Sequence, residues 1–205
     1  MTEFPSPAAA EKIFEDGILY RRSRPYPFDL ENEYRFHCHG VAKAAQILAA
    51  HISGMDAQKA YILGLLHDYG KRINQNKENR FHGIEGYYAM QELGYSEIAR
   101  ICLTHSCAKP DFADAEYSLP QAWLDEVRQL LKGVVYDDYD RLICFCDKFF
   151  EGLKMVTLEE RIRGITQRYG LNLPQQKSLE DECYGLKKYF DGKIGCDVYQ
   201  LLGIK

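Results

Sequence analysis

The run ILGLLHDYGK, Ile62 to Lys71, ends an apolar stretch in a histidine, an aspartate, a glycine and a lysine. Burying an ionised carboxylate is costly unless it is paired or bound to a metal, so His67 and Asp68 require partners. Six histidines are present, at positions 37, 39, 51, 67, 82 and 105. Imidazole and carboxylate form a ligand set that iron, manganese, zinc and nickel ions accept without thiolates. His37, His67, Asp68 and Asp147 suffice for one such ion. His82 and His105 are then left over, and a second ion sharing Asp68 would use both. Each residue also has a plainer reading: a core histidine with one hydrogen bond, an Asp147 paired with an Arg or Lys, or a His67–Asp68 pair ending a helix. The last is disfavoured for the aspartate by the helix dipole.

The elements that must carry these groups read as helices. From Tyr34 to Ile52, His37, Val41, Ala44, Ala45 and Leu48 fall on one face at steps of three and four, and Gly54 is expected to close that helix. The next, from Asp56 as N-cap, places Ala60, Leu63 and His67 on one stripe, with Gly70 as its stop signal. The stretch KRINQNKENRF, Lys71 to Phe81, reads as a polar loop. A helix then begins near His82 and ends at Gly94, and another begins at Ser96 as N-cap and aligns Ile98, Ile101, Cys102 and His105. Ser106 to Leu119 reads as a loop placed to act as a lid. Further helices are expected at about 120–132, through DDYDRLICFCDKF with Ile143, Asp147 and Phe150 on one face, and in two stretches beyond Gly152. No strand-like alternation of useful length occurs, so the expected class is all-α.

Bulk properties narrow the field. At 205 residues, with 46% hydrophobic and 27% charged residues, the chain has enough material for a substantial core without disulfides. Its seven cysteines form no CxxC pair, which excludes zinc-ribbon and thioredoxin-like spacing and fits reduced thiols in the cytoplasm. A net charge of -4 gives no general attraction to nucleic acid or to an anionic membrane, and the amino terminus has no leader-like pattern.

The ordered set His37, His67-Asp68, His82, His105 and Asp147 resembles the HD superfamily of metal-dependent phosphohydrolases. HCHGVAKAAQILA is similar to that family's first-histidine helix, LLHDYGK to its defining dipeptide, FHGIEGYYAM to the histidine after its loop, and ICFCDKF to the helix bearing its last aspartate. The resemblance selects His37 over His39, because the family's first ligand precedes a small apolar helix position by four residues. It implies an HD-domain-like helical bundle over residues 30–152, with a segment 1–29 packing on the core and a helical extension over 153–205.

The two additional histidines resemble those of binuclear members, such as bacterial diadenosine tetraphosphate hydrolases. That likeness implies two divalent metals, expected to be iron with manganese, zinc or nickel as alternatives. His37, His67, Asp68 and Asp147 would hold one and Asp68, His82 and His105 the other. A metal-activated hydroxide would then cleave a phosphoester or phosphoanhydride bond of a nucleotide or related small phosphate, with Asp68 and Lys71 as catalytic residues. Lys71 matches the lysine that often ends the family's HDxxK motif, and Arg72, Lys77 and Arg80 extend a phosphate-attracting rim. THS stands at position 105 where cyclic di-GMP enzymes have a double histidine, and no GYP follows, so that specificity is not expected. The alternatives carried are a mononuclear nucleotidase in which His82 and His105 bind phosphate, a di-iron oxygenase-like protein, and a non-catalytic regulator. The C-terminal helices could cover the core, form a homodimer interface or bind a partner.

Overall fold

The element that carries the HD dipeptide is set up by Asp56, whose carboxylate accepts the N–H groups of Gln58 and Lys59 at 2.7 and 3.1 Å. This N-cap starts α3 (Ala57–Leu66), in a structure that is a computed structural model describing residues 4–23, 31–72, 81–106 and 120–205. Ala60 and Ile62 to Leu66 are all buried, so α3 is apolar around most of its circumference and runs through the centre of the bundle. It lies against α2 (Glu31–Ala49), and Gly64 makes the approach possible. A Cβ there would sit 2.7 Å from the Ala42 Cα, so the two backbones touch directly.

Beyond Leu66 the chain tightens into a 3-10 helix, Tyr69–Arg72, with the Lys71 N–H donating to the Asp68 carbonyl at 2.9 Å. Gly70, expected as a helix stop, has a different task. A Cβ at this position would lie 1.8 Å from the His82 carbonyl oxygen and 2.6 Å from the Gly86 nitrogen, so the glycine lets the HD turn abut the next helix. That helix is α4 (His82–Glu92), followed by Gly94 at φ +84°. In α5 (Ser96–Thr104), Tyr95 occupies the N-cap and Ser96 is the first helical residue, which corrects the expected serine cap. The helix expected to run to Ile52 stops at Ala49, and Gly54 (φ +85°) shapes the turn beyond it.

Around this centre, α1 (Pro7–Arg22) contributes Ala10, Phe14 and Ile18 to the main core. Helix α6 (Gln121–Leu131) forms a smaller apolar cluster with Ile84 of α4 and Leu103 of α5. A capping box between Asp137 and Asp140 opens α7 (Asp138–Asp147). A short antiparallel hairpin follows, β1 (Phe150–Glu151) with β2 (Lys154–Met155), turned at Gly152. Strands of two residues are too short to leave an alternating pattern, and the class remains all-α.

The last elements are α8 (Leu158–Tyr169), α9 (Leu173–Ile194) and α10 (Val198–Leu202). Capping boxes at Thr157/Glu160 and Asn172/Gln175 start the first two. Leu158, Ile162, Leu179, Cys183, Phe190 and Val198 bury their apolar sides in the same core as α2 and α3. Among the described residues, no helix is long and apolar enough to cross a membrane.

Candidate metal centre

The end of α3, the start of α4, the ends of α5 and α7 and the middle of α2 meet at one place. His67 and Asp68 are 0% and 1% exposed, and His105 is 2% exposed. Asp68 stands at the middle with its two oxygens divided. Its Oδ2 lies 3.4 Å from His37 Nε2 and 3.5 Å from His67 Nε2, whereas its Oδ1 lies 3.2 Å from His82 Nε2 and 3.4 Å from His105 Nε2. Asp147 joins the first group, its Oδ1 being 3.0 Å from His37 Nε2 and 3.7 Å from His67 Nε2. All six predicted ligand positions are therefore brought together. Two triplets, His37/His67/Asp147 and His67/Asp68/His105, are each close enough to share one ion.

The donor set can be tested for a cation from its hydrogen bonding. His67 Nδ1 is 2.7 Å from the Gly64 carbonyl and His105 Nδ1 is 3.1 Å from that of Ile101. A carbonyl only accepts, so both rings carry their proton on Nδ1, and in the neutral tautomer each Nε2 lone pair faces the centre. Nε2 atoms lie 3.2 Å apart in the His37–His67 pair and again in the His82–His105 pair. Asp68 Oδ1 is buried with no hydrogen-bond partner among the described residues. Lone pairs converging on a buried carboxylate oxygen repel one another unless a positive charge lies between them, and oxygen and nitrogen donors of this kind suit a divalent transition metal. The residues fit the metal that the fold implies.

Burial lowers the His37, His82 and His105 pKa values, most strongly at His82, and so favours the neutral rings that ligation needs, whereas at His67 burial is outweighed by the Asp68 and Asp147 carboxylates, which raise its pKa. Burial alone would raise the Asp68 carboxyl, but the Lys71 ammonium and the surrounding histidines hold it well below the ordinary range. Lys71 Nζ makes a short ion pair with Asp68 Oδ2, and its side chain is about a third exposed, so it faces both the carboxylate and the opening. Arg72 stacks between the rings of Tyr20 and Tyr69, its guanidinium 5.0 and 5.1 Å from their centroids. Lys77, Arg80 and most of the expected lid, 107–119, lie outside the described residues.

The two histidines set aside lie elsewhere. His39 turns toward α1, with Nε2 3.2 Å from Glu11 Oε2, and His51 is exposed and bonded to the Ile47 carbonyl at 2.8 Å. Phe150, expected on one helical face with Ile143 and Asp147, lies instead in β1 beyond the end of α7, and Thr104, Lys148 and Arg161 near the site carried no recognisable sequence signal. The Phe150 ring packs edge-on to His37 at 6.4 Å and fills the space a side chain at Gly40 would need. Thr104 Oγ1 donates to Asp140 Oδ1 at 2.7 Å, tying the helix that ends at His105 to the helix that ends at Asp147. Lys148 and Arg161 each bring a cationic nitrogen to 3.8 Å from Asp147 Oδ2. Asp147 thus combines both of its sequence readings, with one oxygen on the histidines and the other on Lys and Arg.

Comparison with known proteins places this geometry in a lineage. The HD domain family matches residues 34–150, more than half of the chain. An uncharacterized protein of Methanocaldococcus jannaschii is 29% identical over 161 residues, covering 74% of this chain and 88% of its own length. No solved structure matches. The matched segment begins just before His37 and ends just after Asp147, enclosing all six converging side chains, and the chain belongs to the HD-domain superfamily of metal-dependent phosphohydrolases.

Proposed function

We propose that the protein is a binuclear phosphohydrolase of the cytoplasm that cleaves a phosphoester or phosphoanhydride bond in a nucleotide or related small phosphate. The catalytic unit in this reading is residues 30–152, flanked by the N-terminal segment 1–29 on the core and the C-terminal extension 153–205. The observation that carries it is the division of Asp68, one oxygen facing His37 and His67 and the other facing His82 and His105. His37, His67, Asp68 and Asp147 would hold one divalent cation and Asp68, His82 and His105 the other, with iron the first candidate and manganese, zinc and nickel compatible with the same donors. Such cations supply an activated water at neutral pH and neutralise charge on the phosphoryl oxygens.

The protein's own groups do the rest. Asp68 fixes the two halves of the centre relative to one another. Lys71, already at its carboxylate and reaching the opening, binds a non-bridging phosphate oxygen and offsets the charge that grows there as the bond breaks. In this reading Arg72 and Arg80 are further substrate-binding residues. The apolar wall formed by Phe150 beside His37 limits water on one side.

A mononuclear reading has one specific observation in its favour: the Ser106 hydroxyl lies 2.9 Å from His105 Nε2 and can donate to the lone pair that a second cation would use. Elemental analysis of anaerobically purified protein separates the two. About two metals per chain, falling toward one in His82→Ala and His105→Ala, is the expected result, together with phosphate release from a panel of nucleotides. One metal, unchanged by either substitution, overturns the binuclear assignment.

A further inference from the structure

We infer that Arg161, on a helix outside the HD-matched segment, is a positioning residue for the metal centre that fixes the orientation of the Asp147 carboxylate. The inference rests on the metal centre proposed above and extends it to the C-terminal helices.

Asp147 is the last residue of α7, where the negative end of the helix dipole opposes a carboxylate. Its side chain is free to rotate unless both oxygens are engaged. Oδ1 faces His37 and His67, and Oδ2 faces Arg161 Nη2 and Lys148 Nζ, each at 3.8 Å. Lys148 directly follows Asp147 and ends in a single ammonium on a flexible stem. Arg161 comes from α8 and is held at two points, because its Nη1 donates to the Phe150 carbonyl at 3.2 Å while its Nη2 faces the carboxylate. The planar guanidinium therefore forms a rigid strut between the backbone of the hairpin and Asp147 Oδ2, a geometry that a lysine ammonium cannot reproduce.

The strut has a firm base. Thr157 and Glu160 cap the start of α8, Leu158 and Ile162 enter the main core, and the Arg161 side chain is only 13% exposed. Groups that orient a metal ligand through its second atom commonly change metal affinity by about 10- to 100-fold when removed. Arg161 meets the geometric condition for that role.

The test is metal binding without substrate, using Mn2+ titration for affinity and the Co2+ absorption spectrum for ligand geometry. Arg161→Met is expected to weaken Mn2+ binding by about 10- to 100-fold and to alter the Co2+ bands, while the metal-free protein keeps its helical circular dichroism. Arg161→Lys should fall between the variant and the wild type. Arg163→Met, an exposed neighbour on the same helix, should behave as wild type. Unchanged Mn2+ affinity in Arg161→Met overturns the inference. Should that variant unfold, Arg161→Lys decides: folded with weaker binding supports the role, folded with wild-type binding overturns it. Wild-type protein that binds Mn2+ but releases phosphate from no substrate refutes the hydrolase reading and leaves the strut standing. Wild-type protein that binds no metal refutes both.

Discussion

Asp68 and Asp140 are equally buried, each 1% exposed, but their surroundings are opposite. Asp140 accepts from Thr104 Oγ1 at 2.7 Å and from the Asp137 N–H at 2.8 Å, and it pairs with Arg100 Nε at 3.1 Å. Asp68 has Lys71 on one oxygen, while the other faces two imidazole nitrogens and no donor. A buried carboxylate surrounded by donors is a structural lock, here joining α5 to α7. One surrounded by lone pairs is a seat for a cation. The same residue type at the same burial does different work according to what its neighbours can donate.

Four substitutions break or sharpen this contrast. The largest effect is expected at Asp68→Ala, which should abolish metal retention and hydrolysis while lowering the thermal midpoint of the metal-free protein only modestly, because Lys71, which loses its ion-pair partner, is about a third exposed and can turn to water. Calorimetry with elemental analysis checks both halves, and full activity would remove Asp68 from the centre. Asp140→Ala should do the reverse. Leaving Arg100 and Thr104 without this partner is expected to cost about 3 kcal/mol of stability, read by urea denaturation, with metal per folded chain preserved. Gly70→Ala comes next. Its Cβ collides with the His82 carbonyl, and relief of that clash should cost about 2 kcal/mol and lower metal occupancy on the His82 side, as elemental analysis would show.

The smallest effect belongs to Asp138, the first residue of α7, paired with Tyr189 and Lys193 of α9 at 2.6 Å each. Burial would raise its pKa, but these two partners lower it overall. A folded-state value below the unfolded one adds stability above the unfolded carboxylate range near pH 4, and that stability disappears as pH falls through the folded value. Asp138→Asn should therefore cost about 0.5–1 kcal/mol at pH 7 and flatten the acid limb of the stability profile. An unchanged acid limb would show that α9 is held by its apolar face alone.

Most of the six converging side chains were legible in the sequence because they belong to a local pattern: a histidine on an apolar stripe, a dipeptide ending a buried helix, an acid among apolar neighbours; the choice of His37 over His39 came from the family resemblance, and His82 was marked only by its place at a helix start. The all-helical class was legible for the same reason. What the sequence did not disclose depends on contacts between distant segments. Gly70 reads as a stop signal, yet its size is required by the approach of His82, which only the folded turn reveals. Ser96 has the chemistry of a cap but sits one residue inside the helix. Arg161 lies in a charged stretch, EERIRG, that resembles any exposed helix face until α8 docks and turns one of its arginines inward. The expected contributions of Lys77, Arg80 and residues 107–119 fall outside the described residues.

The contact between Gly64 and Ala42 has a mechanical consequence. Where helices meet through side chains, their separation can breathe as rotamers shift. Where they meet backbone on backbone, there is little left to compress. His37 lies within one of these helices, a little over a turn before Ala42, and His67 caps the end of the other, so their spacing should respond weakly to heat or hydrostatic pressure. The pocket's rim can soften long before the distance between its first two imidazoles changes.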